Sequence, residues 1–118
     1  MPHKFRELKV WQKGMDLAVE AYPFSGEFPK DEMFGLTSQI KRAANSVPLN
    51  IAEGAGFRTN PEFAQFLGIA MRSCNEVETA AELAVRFGCK TRQEADSLNA
   101  DANEVASMLV GLIRSLSR

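Results

Sequence analysis

The feature that most constrains this chain is a run of apolar residues near its C-terminus, spaced alternately by three and four. Ala95, Leu98, Ala102, Val105, Leu109, Leu112 and Leu116 form one unbroken series. That spacing places seven side chains on a single stripe of a helix and specifies a seam packed against neighbouring helices. Thr91, with Glu94 three positions on, is a capping box, so local chemistry sets the helix start as well as the pattern.

The segment before it repeats the arrangement. Phe63, Leu67, Ala70, Cys74, Val77, Ala81 and Ala84 make a second seam, with Asn60 as the expected N-cap, Pro61 at the first helical position and Gly88 closing the far end. The turn from Gly88 to Lys90 is short enough to require an antiparallel neighbour. Upstream, Met33, Ile40, Ala44, Val47 and Ile51 form a third stripe ended by Gly54 and Gly56. Pro48 within it predicts a kink, or a break near Ser46. A first helix is expected from about Lys9 to Tyr22, with Val10, Trp11, Leu17, Ala18 and Ala21 inward and Pro23, Gly26 and Pro29 ending it ahead of Asp31 and Glu32.

No stretch alternates with period two. The expected fold is therefore all-α: a single antiparallel up-down-up-down four-helix bundle over residues 1–118, preceded by a short basic tail at 1–8. With 118 residues, 45% of them apolar and 25% charged, the chain can build one core without disulfides or metals. Cys74 and Cys89 do not make a disulfide framework and read as reduced thiols. No apolar run approaches the roughly 20 residues of a membrane span, and no signal peptide opens the chain, so a cytoplasmic protein is expected.

Beyond the seams, Ala106, Val110 and Ile113 on the last helix and Phe66, Ile69, Leu83 and Phe87 on the third make further apolar stripes. They read either as a wide core face or as surfaces that call for another subunit.

Catalytic constellations are missing. Glu20, Glu53, Glu76 and Glu104 suggest a di-iron bundle, but that site needs two Glu-x-x-His motifs and the chain has one histidine, His3. The same shortage removes Ser-His and Cys-His pairs, and phosphate-binding glycine loops and Cys-x-x-Cys are absent. Neither a cofactor nor a metal is expected. An enzyme would need a pocket lined by Glu53 and Glu76 with raised pKa values. Basic residues are more informative: Lys41 and Arg42 are adjacent on a helix, Arg58 follows, and Lys4, Arg6, Lys9 and Lys13 lie near the start. The formal net charge is −1, so a phosphate-attracting surface has to come from local clustering, multiplied if subunits assemble. The plainer reading is a solvated face of ion pairs, with Arg42 reaching Glu76. Trp11, Tyr22, Phe34, Phe63 and Phe66 read as core or interface anchors rather than platforms for bases.

Several stretches resemble the bacterial four-helix-bundle family of proteins encoded in intervening sequences of 23S ribosomal RNA genes: Phe5 to Lys13, Phe34 to Ala44, Asn50 to Gly54, Phe66 to Ala70 with Ser73, and Glu76 to Thr79. The resemblance implies a homopentamer and no enzymatic activity. It is shared with the accessory protein of diversity-generating retroelements, a basic pentameric barrel that binds nucleic acid and a reverse transcriptase. It extends to Lys41 and Arg42 as basic motif positions, and to Gln39, Asn50, Glu53 and Glu76 as polar ones that tie helices together or hold a ligand. Three readings follow. The first is an oligomeric scaffold or adaptor binding RNA, DNA or a nucleic-acid enzyme through a basic face. The second is a structural protein-binding oligomer without that affinity, and the third a small-molecule or metal-dependent enzyme.

Overall fold

A computed structural model describes residues 3–26 and 35–117. Four helices account for nearly all of them: α1 (Lys9–Gly26), α2 (Leu36–Ala55), α3 (Asn60–Arg86) and α4 (Arg92–Leu116), with a 3₁₀ turn at Phe5–Glu7 ahead of α1. The helices form an elongated all-α bundle measuring 46 × 22 × 19 Å. α2 packs on α1 and α3, α3 on α4, and α4 returns to α1, the least extensive of these four contacts.

The two C-terminal seams are as the spacing predicts. All seven α3 positions are buried, as are Ala95, Leu98, Ala102, Val105 and Leu109 of α4, while Leu112 and Leu116 pack half-buried at its end. Gly88, at φ +80°, ends α3 in a Schellman turn: Cys89 N–H donates to Ala84 O at 2.8 Å and Gly88 N–H to Val85 O at 3.0 Å. Across this turn Glu82 accepts from Arg92 Nη2 at 2.9 Å and Arg86 Nε at 3.0 Å, and these bonds hold its carboxyl down to about 2. Thr91 caps α4, accepting from Glu94 N–H at 3.1 Å while Thr91 N–H donates to the Glu94 carboxylate at 3.0 Å. Thr91→Ala is expected to cost about 1 kcal/mol, read as a lower urea midpoint with an unchanged m-value.

Three helix boundaries differ from the sequence expectation. Thr59, not Asn60, caps α3, accepting from Glu62 N–H at 3.3 Å; Asn60 is the first helical residue and Pro61 the second. α1 runs through Pro23 to Gly26. Proline there has no N–H to offer the Val19 carbonyl, and both Val19 and Pro23 are exposed in the single chain. α2 likewise continues through Pro48 without a break at Ser46. Asn50 Nδ2 folds back one turn to donate to Ser46 O and Ser46 Oγ, both at 2.8 Å, adding side-chain bonds beside the proline. Met33, Pro29, Asp31, Glu32 and Phe34 lie outside the described residues.

The expected N-terminal tail is docked from residue 3 onward. His3 N–H donates to Ala55 O at 2.9 Å, the His3 ring lies 4.8 Å from Phe63, and Phe5 meets Trp11 edge-on at 5.2 Å. Two glycines admit close helix approach. A Cβ on Gly14 would lie 3.3 Å from Val47 Cγ1, and one on Gly54 only 2.6 Å from Phe66 Cβ. No helix among the described residues is long and apolar enough to cross a membrane.

Candidate interaction face

α1 turns three faces outward from its axis. Val10, Gly14, Leu17, Ala21 and Phe24 enter the core. At 100° per residue, Trp11, Met15, Ala18, Val19 and Tyr22 fall on a neighbouring face, toward α2. There they meet Pro48, Leu49 and Ala52 and, with Phe5 and Pro23, line an open apolar groove of about 780 Å³. Val19 is 69% exposed, Leu49 66%, Tyr22 63% and Met15 40%, four of the five large apolar side chains so exposed among the described residues. Trp11 and Ala18, expected in the core, are half-buried walls of this groove.

The stripes singled out on α3 and α4 behave differently. Leu83, Ala106 and Ile113 pack against the core, and Phe66 stacks on Phe57 at 5.0 Å; only Phe87 stands largely free. The uncovered apolar surface thus lies mainly between α1 and α2.

Cations sit on aromatic rings at both ends of the groove. The Arg6 guanidinium lies 5.4 Å from the Phe5 ring centre and 5.8 Å from that of Trp11, and Lys41 Nζ lies 4.2 Å from that of Tyr22. Beside the groove, sharing Asn45 and Leu49 with it, a second hollow of about 630 Å³ is lined by Ser38, Lys41, Arg42, Ser46, Asn50 and Glu53.

The seven basic candidates do not form one face. Lys41 and Arg42 stand together on α2, and Arg42 makes no ion pair with Glu76. Lys4, Arg6 and Arg58 are exposed at the end of the bundle where α1 begins and α2 finishes. Lys13 bonds Glu104 at 3.4 Å on the α4 side, and Lys9, four residues earlier, shares that face. Of the polar motif positions, Asn50 holds its own helix, and Ser46 Oγ meets Ser73 Oγ at 2.9 Å to join α2 to α3. Gln39, Glu53 and Glu76 are exposed, and the hollow that Glu53 lines does not include Glu76. Among the described residues no three His, Cys, Asp or Glu side chains converge as a metal cluster would require. Both cysteines are free, and burial pushes the Cys74 thiol up to about 12, out of reach of thiolate chemistry at neutral pH.

Residues 6–111 match the family described as 23S rRNA-intervening sequence protein. The chain belongs to this family. The match covers α1 to α3 and most of α4, so it takes in the α1 and α2 walls of the groove and the Lys41–Arg42 pair. A crystal structure of a protein of unknown function from the S23 ribosomal protein family of Bacteroides thetaiotaomicron VPI-5482 is similar in fold, with a TM-score of 0.82 and 28% identity over 88% of this chain and 97% of that one. No curated protein matches the chain. The 23S rRNA-intervening sequence family accordingly supplies a fold and a lineage, and the function has to be argued from the surface.

Proposed function

We propose that the protein is a non-catalytic scaffold whose identical subunits assemble, as a homopentamer, by covering the α1–α2 groove, and whose Lys41–Arg42 faces then meet RNA or DNA. The observation that carries this reading is the groove itself. Met15, Val19, Tyr22 and Leu49 are contiguous and exposed, whereas apolar side chains on a monomer's surface are usually scattered singly. The groove has the makings of an interface: aromatic anchors in an apolar centre, with polar and charged residues at the margin. The family resemblance supplies the number five.

Assembly bears directly on nucleic acid. One subunit has a net charge of −1 and its basic residues point several ways. Lys41 and Arg42 flank the groove, so a ring built through that groove repeats the pair at regular intervals near each subunit junction. Repetition turns two charges into a surface that exchanges counterions with phosphate. The Lys13–Glu104 pair and the dispersed remaining cations favour a second reading, a purely protein-binding oligomer.

Titration of a short structured RNA and a single-stranded DNA, followed by fluorescence anisotropy at several salt concentrations, separates the two. The scaffold reading predicts affinity that falls steeply with salt. It further predicts that Lys41→Ala with Arg42→Ala weakens binding across sequences and lowers the salt slope by about one for each phosphate no longer neutralised. Salt-independent or undetectable binding by the assembled protein would leave the protein-binding oligomer.

A further inference from the structure

A ring of identical chains needs two different contact faces on each chain, because a face that meets its own copy closes at two. The surface that fills the α1–α2 groove must therefore lie elsewhere on the chain. It has to match the groove in three respects: an apolar centre, charge at the margins, and length.

The groove carries its charge at its ends. Arg6 rests on Phe5 and Trp11 at the end where α1 begins, and Lys41 rests on Tyr22 at the other. Neither cation has an ion-pair partner among the described residues. The rings that hold them, Trp11 and Tyr22, are separated by about 17 Å along α1.

The side of α3 next to α2 has the converse pattern. Glu62, Ile69 and Glu76 recur every seventh residue and so share one stripe. Neighbours on the same flank fix where it faces: Phe66 crowds Gly54 of α2, and Ser73 Oγ meets Ser46 Oγ at 2.9 Å. Ile69 is half-buried yet takes no part in the packed core, and the stacked Phe57–Phe66 pair, also half-buried, lies about one turn away. Glu62 and Glu76 are exposed, form no ion pair among the described residues, and stand about 21 Å apart. Glu62 opens α3, at the end of the bundle that Arg6 occupies, and Glu76 lies further along, toward the level of Lys41.

α2 belongs to both faces, with α1 packed on one flank and α3 on the other. The two faces are thus adjacent sides of the bundle. Contacts through adjacent sides turn a corner at every chain and close a small ring, whereas opposite sides would string the chains into an open filament.

Resting on the reading that a second copy covers the groove, we infer that what sits in it is the α2–α3 side of the next chain. Ile69 and the Phe57–Phe66 pair meet the apolar centre, Glu76 meets Lys41, and Glu62 meets Arg6. With the helices along the ring axis, rotation carries each end of one chain to the same end of the next, so the two charge pairs form at matching heights. Arg6 and Lys41 are already held on their rings, so pairing orders few further side chains. Arg42, about 100° from Lys41 around α2 and exposed, is left for phosphate.

Exchange of charge tests the pairing. Glu76→Lys and Lys41→Glu each set like charges against one another at every junction. Each is expected to raise the concentration needed for assembly by about tenfold or more at low salt, read by sedimentation velocity without nucleic acid. Combined in one chain, the two substitutions restore opposite charges, and the double variant is expected to reassemble. Ile69→Asp is expected to dissociate the ring as Leu49→Asp does, with an unchanged far-ultraviolet spectrum. If Leu49→Asp dissociates the protein while Glu76→Lys and Ile69→Asp leave its native mass unaltered, the groove reading stands and the α2–α3 side is not its occupant. Single variants that dissociate without recovery in the double overturn the Lys41–Glu76 pairing. An unaltered protein that stays monomeric overturns the groove reading and this one together.

Discussion

Replacing Gly54 with alanine is expected to destabilise the bundle by about 1–2 kcal/mol, although alanine is the better helix former. Gly54 is buried in α2, against Phe63 and Phe66 of α3. Its new Cβ would lie 2.6 Å from Phe66 Cβ, 3.1 Å from Phe63 Cδ1 and 3.3 Å from Phe63 O. A flexible side-chain tip could swing aside, but the Phe66 Cβ is fixed to the α3 backbone, so the two helices must part. Separating the most extensive helix contact in the fold costs about 1–3 kcal/mol, against which the helix-propensity gain is under about 1 kcal/mol. Gly111 is the internal control. It lies in α4 with nothing within 4 Å of an added Cβ, so Gly111→Ala should stabilise by about 0.5–1 kcal/mol. Urea unfolding of the two variants is expected to give midpoint shifts of opposite sign; a stabilised Gly54→Ala would show that α2 and α3 have room to accept the methyl group.

The second large effect concerns the groove. Leu49→Asp is expected to reduce the native mass to that of a single chain at micromolar concentration while leaving the far-ultraviolet spectrum unchanged. Leu49 is 66% exposed in the single chain, so folding of the subunit asks little of it. In an assembly that covers the groove, it loses about 1.5–3 kcal/mol of apolar burial at every junction, and an unpaired carboxylate is desolvated there besides. Each 1.4 kcal/mol is about tenfold in a dissociation constant, and a ring repeats the loss around its circumference. Val19→Asp, on the facing wall, should behave alike. A fully assembled Leu49→Asp protein would place the subunit contact elsewhere on the surface.

The fold was largely legible because α3 and α4 state it redundantly. Each has an unbroken seam, and Thr91 with Glu94 or Gly88 marks a boundary by chemistry that does not depend on tertiary context. Pro23 and Pro48 misled for one shared reason. A proline inside a helix removes one donor and does not by itself end the helix; sequence does not reveal that Pro23 lies in an exposed turn, or that next to Pro48 the Asn50 side chain adds bonds to Ser46. Asn60 was an eligible cap, but Thr59 beside it was equally so, and only the geometry decides between neighbours.

The interaction face was less legible than the core. Trp11 and Tyr22 stood out as anchors, but the groove is split between two helices, and Leu49 belongs to no long stripe on α2. It becomes a surface only when α1 and α2 are laid side by side. By contrast, the stripes on α3 and α4 look unpartnered in sequence because a bundle helix can bury a wider face than its a/d seam, as Leu83, Ala106 and Ile113 do. Glu20 and Asp101, far apart in the chain, line one small hollow between α1 and α4. Glu20 and Glu104 did both belong to the set of carboxylates that a di-iron bundle would have used. They come together, but without Glu53 and Glu76, which lie elsewhere.

The central claim, that identical chains assemble through the α1–α2 groove, is tested most directly by the native mass of the unaltered protein over a range of concentrations. Sedimentation velocity, or mass spectrometry from non-denaturing solution, should show one discrete species of five chains that persists on dilution into the low micromolar range. A monomer at tens of micromolar would contradict the account, for it would leave Met15, Val19, Tyr22 and Leu49 in water with no second copy to cover them.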